Sequence, residues 1–204
     1  FTTANQPVSI SGNASCRDMN WTGSATMAPR LIGSSTDTLF IYGSLTINSS
    51  VDKSFFDAST FFKSTILTDS ITSGGFQFKA NVYFDGIGGG WALKDAFSTN
   101  ADLYFLNGDS LNANAKSITS QDFFLNNGAL LVTGSNITAR DIYLTKGSII
   151  LGGQTTICRK FIGLFKLRTR IIYLILQYID ITYIVNCPPI LRKLLLCRLI
   201  NRQF

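Results

Sequence analysis

The chain of 204 residues contains no histidine and no glutamate, so its twelve acidic residues are all aspartates. Without histidine it lacks the usual general base of nucleophilic triads and the commonest protein ligand of transition metals. Its four cysteines include no C-x-x-C pair, which disfavours a structural zinc site. These absences argue against most hydrolytic and metal-dependent enzymes. We therefore expect no metal and no other cofactor.

Long apolar runs and a uniform charge are also missing. The longest largely apolar run, Ile171 to Val185, has 15 residues and contains Asp180, whereas a membrane-spanning helix needs about 20. Residues 1–157 carry nine Lys or Arg and eleven Asp, a net charge of −2; residues 158–204 carry nine and one, a net charge of +8. An acidic body lacks the electrostatic footprint of nucleic-acid binding, so we expect no nucleic-acid partner.

The sequence does contain a succession of short β-strand signals between Thr38 and Leu151. Each segment is rich in β-branched or aromatic residues and is bounded by Gly, Asn, Asp or Ser. Examples are TLFIYGSLTI, NVYFDG, ADLYFLNG and DIYLTKGSIIL. No stretch sustains a 3.6-residue apolar period, so the region is predicted to be all-β.

Internal repetition indicates how these strands are arranged. The pattern L-x-Φ-x-G occurs at Leu39–Gly43 and Leu130–Gly134, and Φ-x-Φ-x-x-G occurs at Leu103–Gly108 and Ile142–Gly147. The four closing glycines are separated by multiples of thirteen, which suggests a period of that length. We predict that residues 38–157 form a parallel β-helix or β-solenoid of short strands; a β-sandwich with similar turns is the alternative. The predicted inward residues include Leu39, Ile41, Leu103, Phe105, Leu130 and Val132.

The two ends of the chain differ from this middle region. Residues 1–37 are rich in Ser, Thr, Asn and Gly and are predicted to be a lead-in of loops and short strands. In the tail, residues 158–204, 18 of 47 residues are Ile or Leu and none is Ser or Ala. One interpretation is a helical or amphipathic segment that contacts a membrane surface. The other, which the abrupt change of composition favours, is an out-of-frame translation of an A+T-rich gene.

Several motifs relate the chain to a known class of proteins. They are LFIYGSLTINSSV, the G-G-x-W-x-L turn at Gly88–Leu93, the N-G that ends ADLYFLNG, and GSIILGGQTTI, with CRDMNWTGSATMAPRLIG as lead-in. Through them, roughly residues 5–157 resemble the β-repeat regions of very large exported cell-surface proteins of Bacteroidetes. These are the adhesin-like and gliding-associated cargo of the type IX secretion system. The tail departs from that family.

The resemblance implies a fold and a location more than an activity. It implies a secreted, non-catalytic structural or adhesive segment at the cell surface, associated with the outer membrane. The implied partner is a surface polysaccharide or another cell-surface protein. Because the chain begins at Phe1, without Met or a signal peptide, we expect it to be a processed or excised fragment.

A glycine cluster at Gly86, Gly88, Gly89 and Gly90 invites a nucleotide-binding interpretation. A dinucleotide fingerprint would need a further glycine where Trp91 stands, and no helix signal follows. We therefore predict a tight, crowded turn that Trp91 covers.

Three aspartates, Asp95, Asp102 and Asp109, are evenly spaced by seven. Paired carboxylates can cleave polysaccharides, so a β-helix polysaccharide lyase or hydrolase is the alternative function. A spacing of seven does not place them on one face of a strand, and each lies beside a turn, where Asp bonds the local backbone. We therefore predict structural roles and no enzyme. Ser50-x-x-Lys53 matches an acyltransferase spacing by its letters alone.

Adjacent phenylalanines occur at 55–56, 61–62 and 123–124. In a strand, one member of each pair faces inward and the other outward. An outward ring can contact a sugar or a protein partner. The candidate contacts for carbohydrate or a partner are Phe56, Phe62, Trp91 and Phe124.

Overall fold

The computed structural model describes residues 7–22, 29–152, 156–157, 160–167 and 170–177, with only the backbone at 132, 133, 147, 150 and from 151 onward. These residues form 24 β-strands and no α-helix. No helix within the described ranges is long and apolar enough to cross a membrane.

Almost every strand pairs in parallel with the strand three places later, so three strands make one coil of a β-solenoid with about six turns. The nine-stranded sheet contains β2 (Asn13–Cys16), β5 (Thr38–Ile41), β8 (Ser59–Phe62), β11 (Val82–Phe84), β14 (Leu103–Phe105), β17 (Asp122–Leu125), β20 (Asp141–Leu144), β23 (Lys160–Leu167) and β24 (Arg170–Gln177). The predicted parallel solenoid is confirmed.

Two further faces complete each coil. The seven-stranded sheet contains β3 (Met19–Trp21), β6 (Leu45–Ile47), β9 (Asp69–Thr72), β12 (Gly90–Leu93), β15 (Ser110–Asn112), β18 (Gly128–Thr133) and β21 (Gly147–Gly152). The third face is a three-stranded sheet of β1 (Val8–Ser9), β4 (Arg30–Gly33) and β7 (Asp52–Phe56), followed by a five-stranded sheet of β10 (Gln77–Phe78), β13 (Phe97–Thr99), β16 (Ile118–Thr119), β19 (Ile137–Thr138) and β22 (Thr156–Ile157).

The coil is longer than the repetition in the sequence predicted. In the nine-stranded sheet Ala14 pairs with Leu39 near the start of the chain, and Phe123 pairs with Ile142 near its end. Both offsets exceed thirteen, and the first is the larger, so the coil also varies in length. The predicted period of thirteen is therefore wrong. Gly43, Gly108 and Gly147 follow strands of the nine-stranded sheet, whereas Gly134 follows a strand of the seven-stranded sheet, because turn residues recur at every corner of the coil.

The core runs along the inside of the coils. Strands bury alternate side chains, and in-register parallel pairing places equivalent residues of successive coils directly over one another. Thus the ring of Phe84 stacks between Phe62 and Phe105, with centroids 5.1 and 5.0 Å away. The predicted inward residues Leu39, Ile41, Leu103, Phe105 and Leu130 are buried; the side chain of Val132 lies outside what the structure describes.

The ends of the chain join the same architecture. Strands β1 to β3 form a coil within the predicted lead-in, so the solenoid begins before residue 38. In the tail, β23 pairs in parallel with β20, and β24 folds back antiparallel on β23. The described residues of the tail thus form a hairpin of strands. The predicted helical segment otherwise falls on residues 158–159, 168–169 and 178–204, which lie outside the described residues.

Candidate functional site

Three of the four aromatic residues proposed as contacts lie inside the core. Phe56, Phe62 and Trp91 are at most 2% exposed, so they cannot contact a ligand at the surface. Each phenylalanine pair does have one inward and one outward member, and the outward ones here are Phe55 and Phe61. The prediction that Phe56 and Phe62 face outward is wrong. Alternation shows which residues share a face of the strand, but where both faces are apolar it does not show which face is inward.

Phe124, the fourth candidate, belongs to a column of outward rings on the nine-stranded sheet. We call this column the outer ladder; its members are Phe40, Phe61, Tyr83, Tyr104, Phe124 and Tyr143. From Phe61 to Tyr143, successive ring centroids are 4.2–4.8 Å apart and the ring planes lie within 14° of each other.

The ring faces of the outer ladder are covered by the neighbouring rings of the ladder itself. Its centroid spacing matches the distance between neighbouring strands, about 4.7–4.9 Å, so each inner ring lies face to face with the rings above and below. A sugar that stacks on an aromatic residue needs a free ring face. Phe124 is covered on both faces, by Tyr104 and Tyr143, and presents only its edge. The ladder is therefore built to bind coils together.

A polar column runs beside the outer ladder, two residues before each ring and at or just before the start of the strand: Asn81, Asp102, Asp122 and Asp141. The backbone N–H of each residue donates to the side chain of the one before it, across 3.1, 3.2 and 3.0 Å. Arg140 adds a bidentate ion pair with Asp122 at 2.9 and 2.6 Å. These side chains hold successive coils in register.

Tyr104 links the polar column to the outer ladder. Its hydroxyl donates a hydrogen bond to Asp102 Oδ2 at 3.3 Å. Burial and the neighbouring carboxylate of Asp102 raise the pKa of Tyr104 to about 12. The hydroxyl therefore stays protonated over the physiological range and keeps its role as donor.

The aspartates spaced by seven lie at three different corners of one coil. Val82 pairs with Leu103 in the next coil, so a spacing of seven is one third of the distance around this coil. Asp95 follows β12, Asp102 follows β13 and Asp109 follows β14. The three carboxyl groups therefore do not converge as a catalytic pair would.

Two of these aspartates bond the backbone of the preceding coil. Asp95 accepts hydrogen bonds from the N–H groups of Ser73 and Gly74, at 2.8 and 2.7 Å. Asp109 accepts one from the N–H of Gly86 at 3.3 Å and is fully buried. Burial raises the pKa of Asp109 to about 7. That value suits a general acid, but the carboxyl group has no access to a substrate.

The glycine cluster is a crowded turn, as predicted. A Cβ at Gly86 or Gly89 would collide with the carbonyl oxygen of Ser64 in the preceding coil. Behind the turn, the indole Nε1–H of Trp91 donates to the carbonyl of Gly43 at 3.2 Å. Glycine is needed here because the backbones of two consecutive coils approach closely, and not for a ligand.

A pocket of about 260 Å³ lies at the corner that follows the nine-stranded sheet in the first three coils. Its lining includes Arg17, Tyr42, Gly43, Lys63, Ile66 and Asp69. None of these residues was proposed as a contact from the sequence, and only Gly43 was named there, as a turn glycine of the repeated pattern. A usable signal was Tyr42, a large aromatic residue placed directly before a turn glycine. Within the described ranges no group of three or more potential ligands is arranged to hold a metal ion.

Comparisons with known proteins do not assign this arrangement to a family. No family model, curated protein or solved structure matches the chain. The function must therefore be argued from the fold and from the side chains described above.

Proposed function

We propose that this chain is a non-catalytic structural or adhesive repeat segment of an exported bacterial cell-surface protein. The observation that carries the proposal is the outer ladder. Its aromatic rings cover one another instead of lining a cleft, and the polar column beside it is bonded to the backbone of neighbouring coils. Side chains that elsewhere would bind or react serve here to stack coils into a stiff rod.

Export and the surface location rest on a different argument. The family that residues 5–157 resemble consists of exported surface proteins, and a rod built of repeated coils suits the spacer or adhesive part of such a protein. The partner that we propose is a surface polysaccharide or another cell-surface protein. Within the described residues, Cys16 is a free thiol, and burial raises its pKa, so it is not an activated nucleophile.

The test is a panel of acidic and neutral polysaccharides, each offered to the folded chain in solution and on a coated surface. We expect retention on at least one surface, with no new reducing ends and no unsaturated uronates. Turnover that is abolished by Asp95→Asn or Asp102→Asn would instead establish the β-helix lyase or hydrolase.

Membrane association through the tail is tested separately. Anionic and neutral liposomes are incubated with the full chain and with a variant that ends at Ile157. We expect retention on the polysaccharide surface to be the same for both. Liposome binding that disappears with residues 158–204 would assign the chain to the membrane surface instead.

A further inference from the structure

The pocket at the corner of the first three coils brings together charged, apolar and buried acidic side chains. Arg17 follows β2, Tyr42 follows β5 and Lys63 follows β8, so three successive coils contribute to the pocket, the third of them also through Ile66 and Asp69. Tyr42 and Ile66 are each 48% exposed and form an apolar wall. Tyr42 is not a member of the outer ladder, and no ring within the described residues stacks on it.

The pocket also holds a buried carboxylate with unused hydrogen-bonding capacity. Asp69 is only 7% exposed and lines the pocket. Its Oδ1 accepts a hydrogen bond from the hydroxyl of Ser44 at 3.1 Å, and that hydroxyl oxygen in turn accepts the N–H of Ser70 at 3.0 Å. Its Oδ2 accepts no hydrogen bond from any described residue.

An unpaired buried carboxylate oxygen is unfavourable, because it has lost water without gaining a donor. A ligand that brings a donor into the pocket would remove this penalty. The terminal torsion of an aspartate is broad and roughly two-fold. Because Oδ2 is covered by protein in this structure, a ligand reaches it only after a rotation of the carboxyl group, which this torsion allows.

The other charges restrict what that ligand can be. Arg17 is largely solvent-exposed, with its Nε 3.8 Å from Asp18 Oδ2, and Lys63 donates to Asp85 at 2.7 Å; both side chains keep further N–H donors. Because each cation lies beside a carboxylate, the wall has no net charge that would recruit an ion, and the buried carboxylate of Asp69 disfavours an anionic ligand. What fits is a neutral group that both donates and accepts hydrogen bonds and has an apolar face for Tyr42 and Ile66.

We propose that this pocket binds a single neutral hexopyranose unit of a glycan. A sugar hydroxyl donates to Asp69, other hydroxyls accept from Arg17 and Lys63, and the C–H face of the ring lies against Tyr42. The volume of about 260 Å³ is slightly below that of pockets for drug-sized ligands, about 300–1,000 Å³, which suits one sugar unit. This inference rests on the proposed adhesive function and names both the class of ligand and the pocket that binds it.

Saturation-transfer NMR on the full chain tests the proposal. The probes are the methyl glycosides of glucose, galactose, mannose and N-acetylglucosamine, with methyl glucuronide as the charged comparison. We expect saturation transfer to at least one neutral sugar. We expect Tyr42→Ala and Asp69→Asn each to weaken its binding roughly tenfold or more.

Phe55→Ala is the matched control. Phe55 is 52% exposed, close to Tyr42 in this respect, but it lies on the third face under the guanidinium of Arg30 and away from the pocket. We expect this variant to bind as the unmodified chain does. Circular dichroism shows whether each variant is folded, and if Asp69→Asn is not, Tyr42→Ala decides alone because its side chain contributes little to the core.

Three results would overturn the pocket: no transfer to any neutral sugar, transfer to the glucuronide alone, or equal binding by Tyr42→Ala and Phe55→Ala. Cleavage of an oligosaccharide in the same samples would contradict the non-catalytic function but not the proposed sugar binding in the pocket. Absence of both binding and cleavage would contradict sugar binding in the pocket but not the structural function.

Discussion

Asp109 is a carboxyl group whose charge state is set by its burial in the solenoid. It lies at the corner between β14 and β15, where the neighbouring coil covers it completely. Burial raises its pKa to about 7, and the charge of Asp85 acts in the same direction, against the opposing effect of backbone hydrogen bonds such as that from Gly86. Near neutral pH, folding therefore holds a proton on a carboxyl group that the unfolded chain would have released.

This proton gives a prediction for the pH dependence of stability. Between about pH 4 and pH 7 the folded chain retains the proton of Asp109 and the unfolded chain does not, since its pKa there is near the ordinary 3.8. The free energy of unfolding should therefore fall as the pH rises through this window and level off above it. Asp109→Asn should remove this part of the slope, measured by urea denaturation at pH 5 and pH 8.

Asp37→Asn provides the control for Asp109. Hydrogen bonds from the side chain and backbone of Ser34, and from the backbone of Gly12, lower the pKa of Asp37. It is therefore ionised in both folded and unfolded chains above pH 5, and its replacement should leave the slope between pH 5 and pH 8 intact. A slope that persists in Asp109→Asn would show that another group causes it.

Trp91 gives a second prediction at the scale of the residue. Its indole fills the core, with Phe62 and Phe84 edge-on at 5.8 and 5.3 Å, and its N–H bonds the carbonyl of Gly43. Trp91→Phe leaves that carbonyl without this donor, so we expect a loss of about 1–3 kcal/mol in the free energy of unfolding. Tyr42→Ala, a change of an exposed ring, should stay within about 0.5 kcal/mol. A similar loss in both variants would mean that the buried bond is not the cause.

At the scale of the element, the corners of the solenoid restrict which residues they accept as strictly as its strands do. The turn that contains Gly86 and Gly89 lies directly against the backbone at Ser64, so the backbones of two consecutive coils meet there without side chains between them. Main-chain atoms cannot rotate away as a side chain can. The glycines therefore fix how closely consecutive coils approach.

Replacement of Gly89 tests this close approach. Gly89→Ala should reduce the free energy of unfolding by about 1–3 kcal/mol, because the added methyl overpacks the corner. The matched control is Gly88→Asn one residue earlier, where φ is +71° and nothing lies within 4 Å. Asn tolerates this left-handed conformation, so its effect should be clearly smaller. Equal stability of Gly89→Ala and the unmodified chain, in urea denaturation, would contradict the packing described for this corner.

The strands were predictable from the sequence because alternation is a local property. Leu103, Phe105 and the glycine that follows them recur as Ile142, Leu144 and their glycine, and these segments do occupy β14 and β20 of one sheet. The coil length was not predictable in this way. Leu39 and Leu130 share a pattern but lie in different sheets, because every corner demands similar turn residues.

The pocket could not be predicted from the sequence either, because its prediction also requires the coil length. Arg17, Tyr42 and Lys63 are distant from one another in the sequence, and their spacings acquire meaning only once the offsets between paired strands are known. The unused oxygen of Asp69 is a property of packing and leaves no trace in the sequence. The carboxylates spaced by seven were correctly kept apart, but the predicted bonds to the local backbone are wrong for Asp95, which binds the backbone of the preceding coil.

At the scale of the whole molecule, stability is shared between neighbouring coils and is not concentrated in one centre. The inner stack of Phe62, Phe84 and Phe105 and the outer ladder both run along the axis, so each ring contacts only the coils next to it. In such a repeat architecture, stability is approximately a sum of terms for each coil and for each interface. A truncation at one end of the solenoid should therefore destabilise only the coils at that end.

Two truncations test this expectation and the nature of the tail. A chain that ends at Gln177 keeps the hairpin of β23 and β24, whereas one that ends at Ile157 loses it and exposes the edge of β20. Both should retain a β-sheet circular dichroism spectrum, and in the shorter chain hydrogen exchange should speed up in the last coil alone. It should also be the more soluble, because residues 158–204 carry 18 Ile or Leu and one acidic residue. If the shorter chain unfolds throughout while the longer one folds, the hairpin is a true cap, and the out-of-frame interpretation of the tail is wrong.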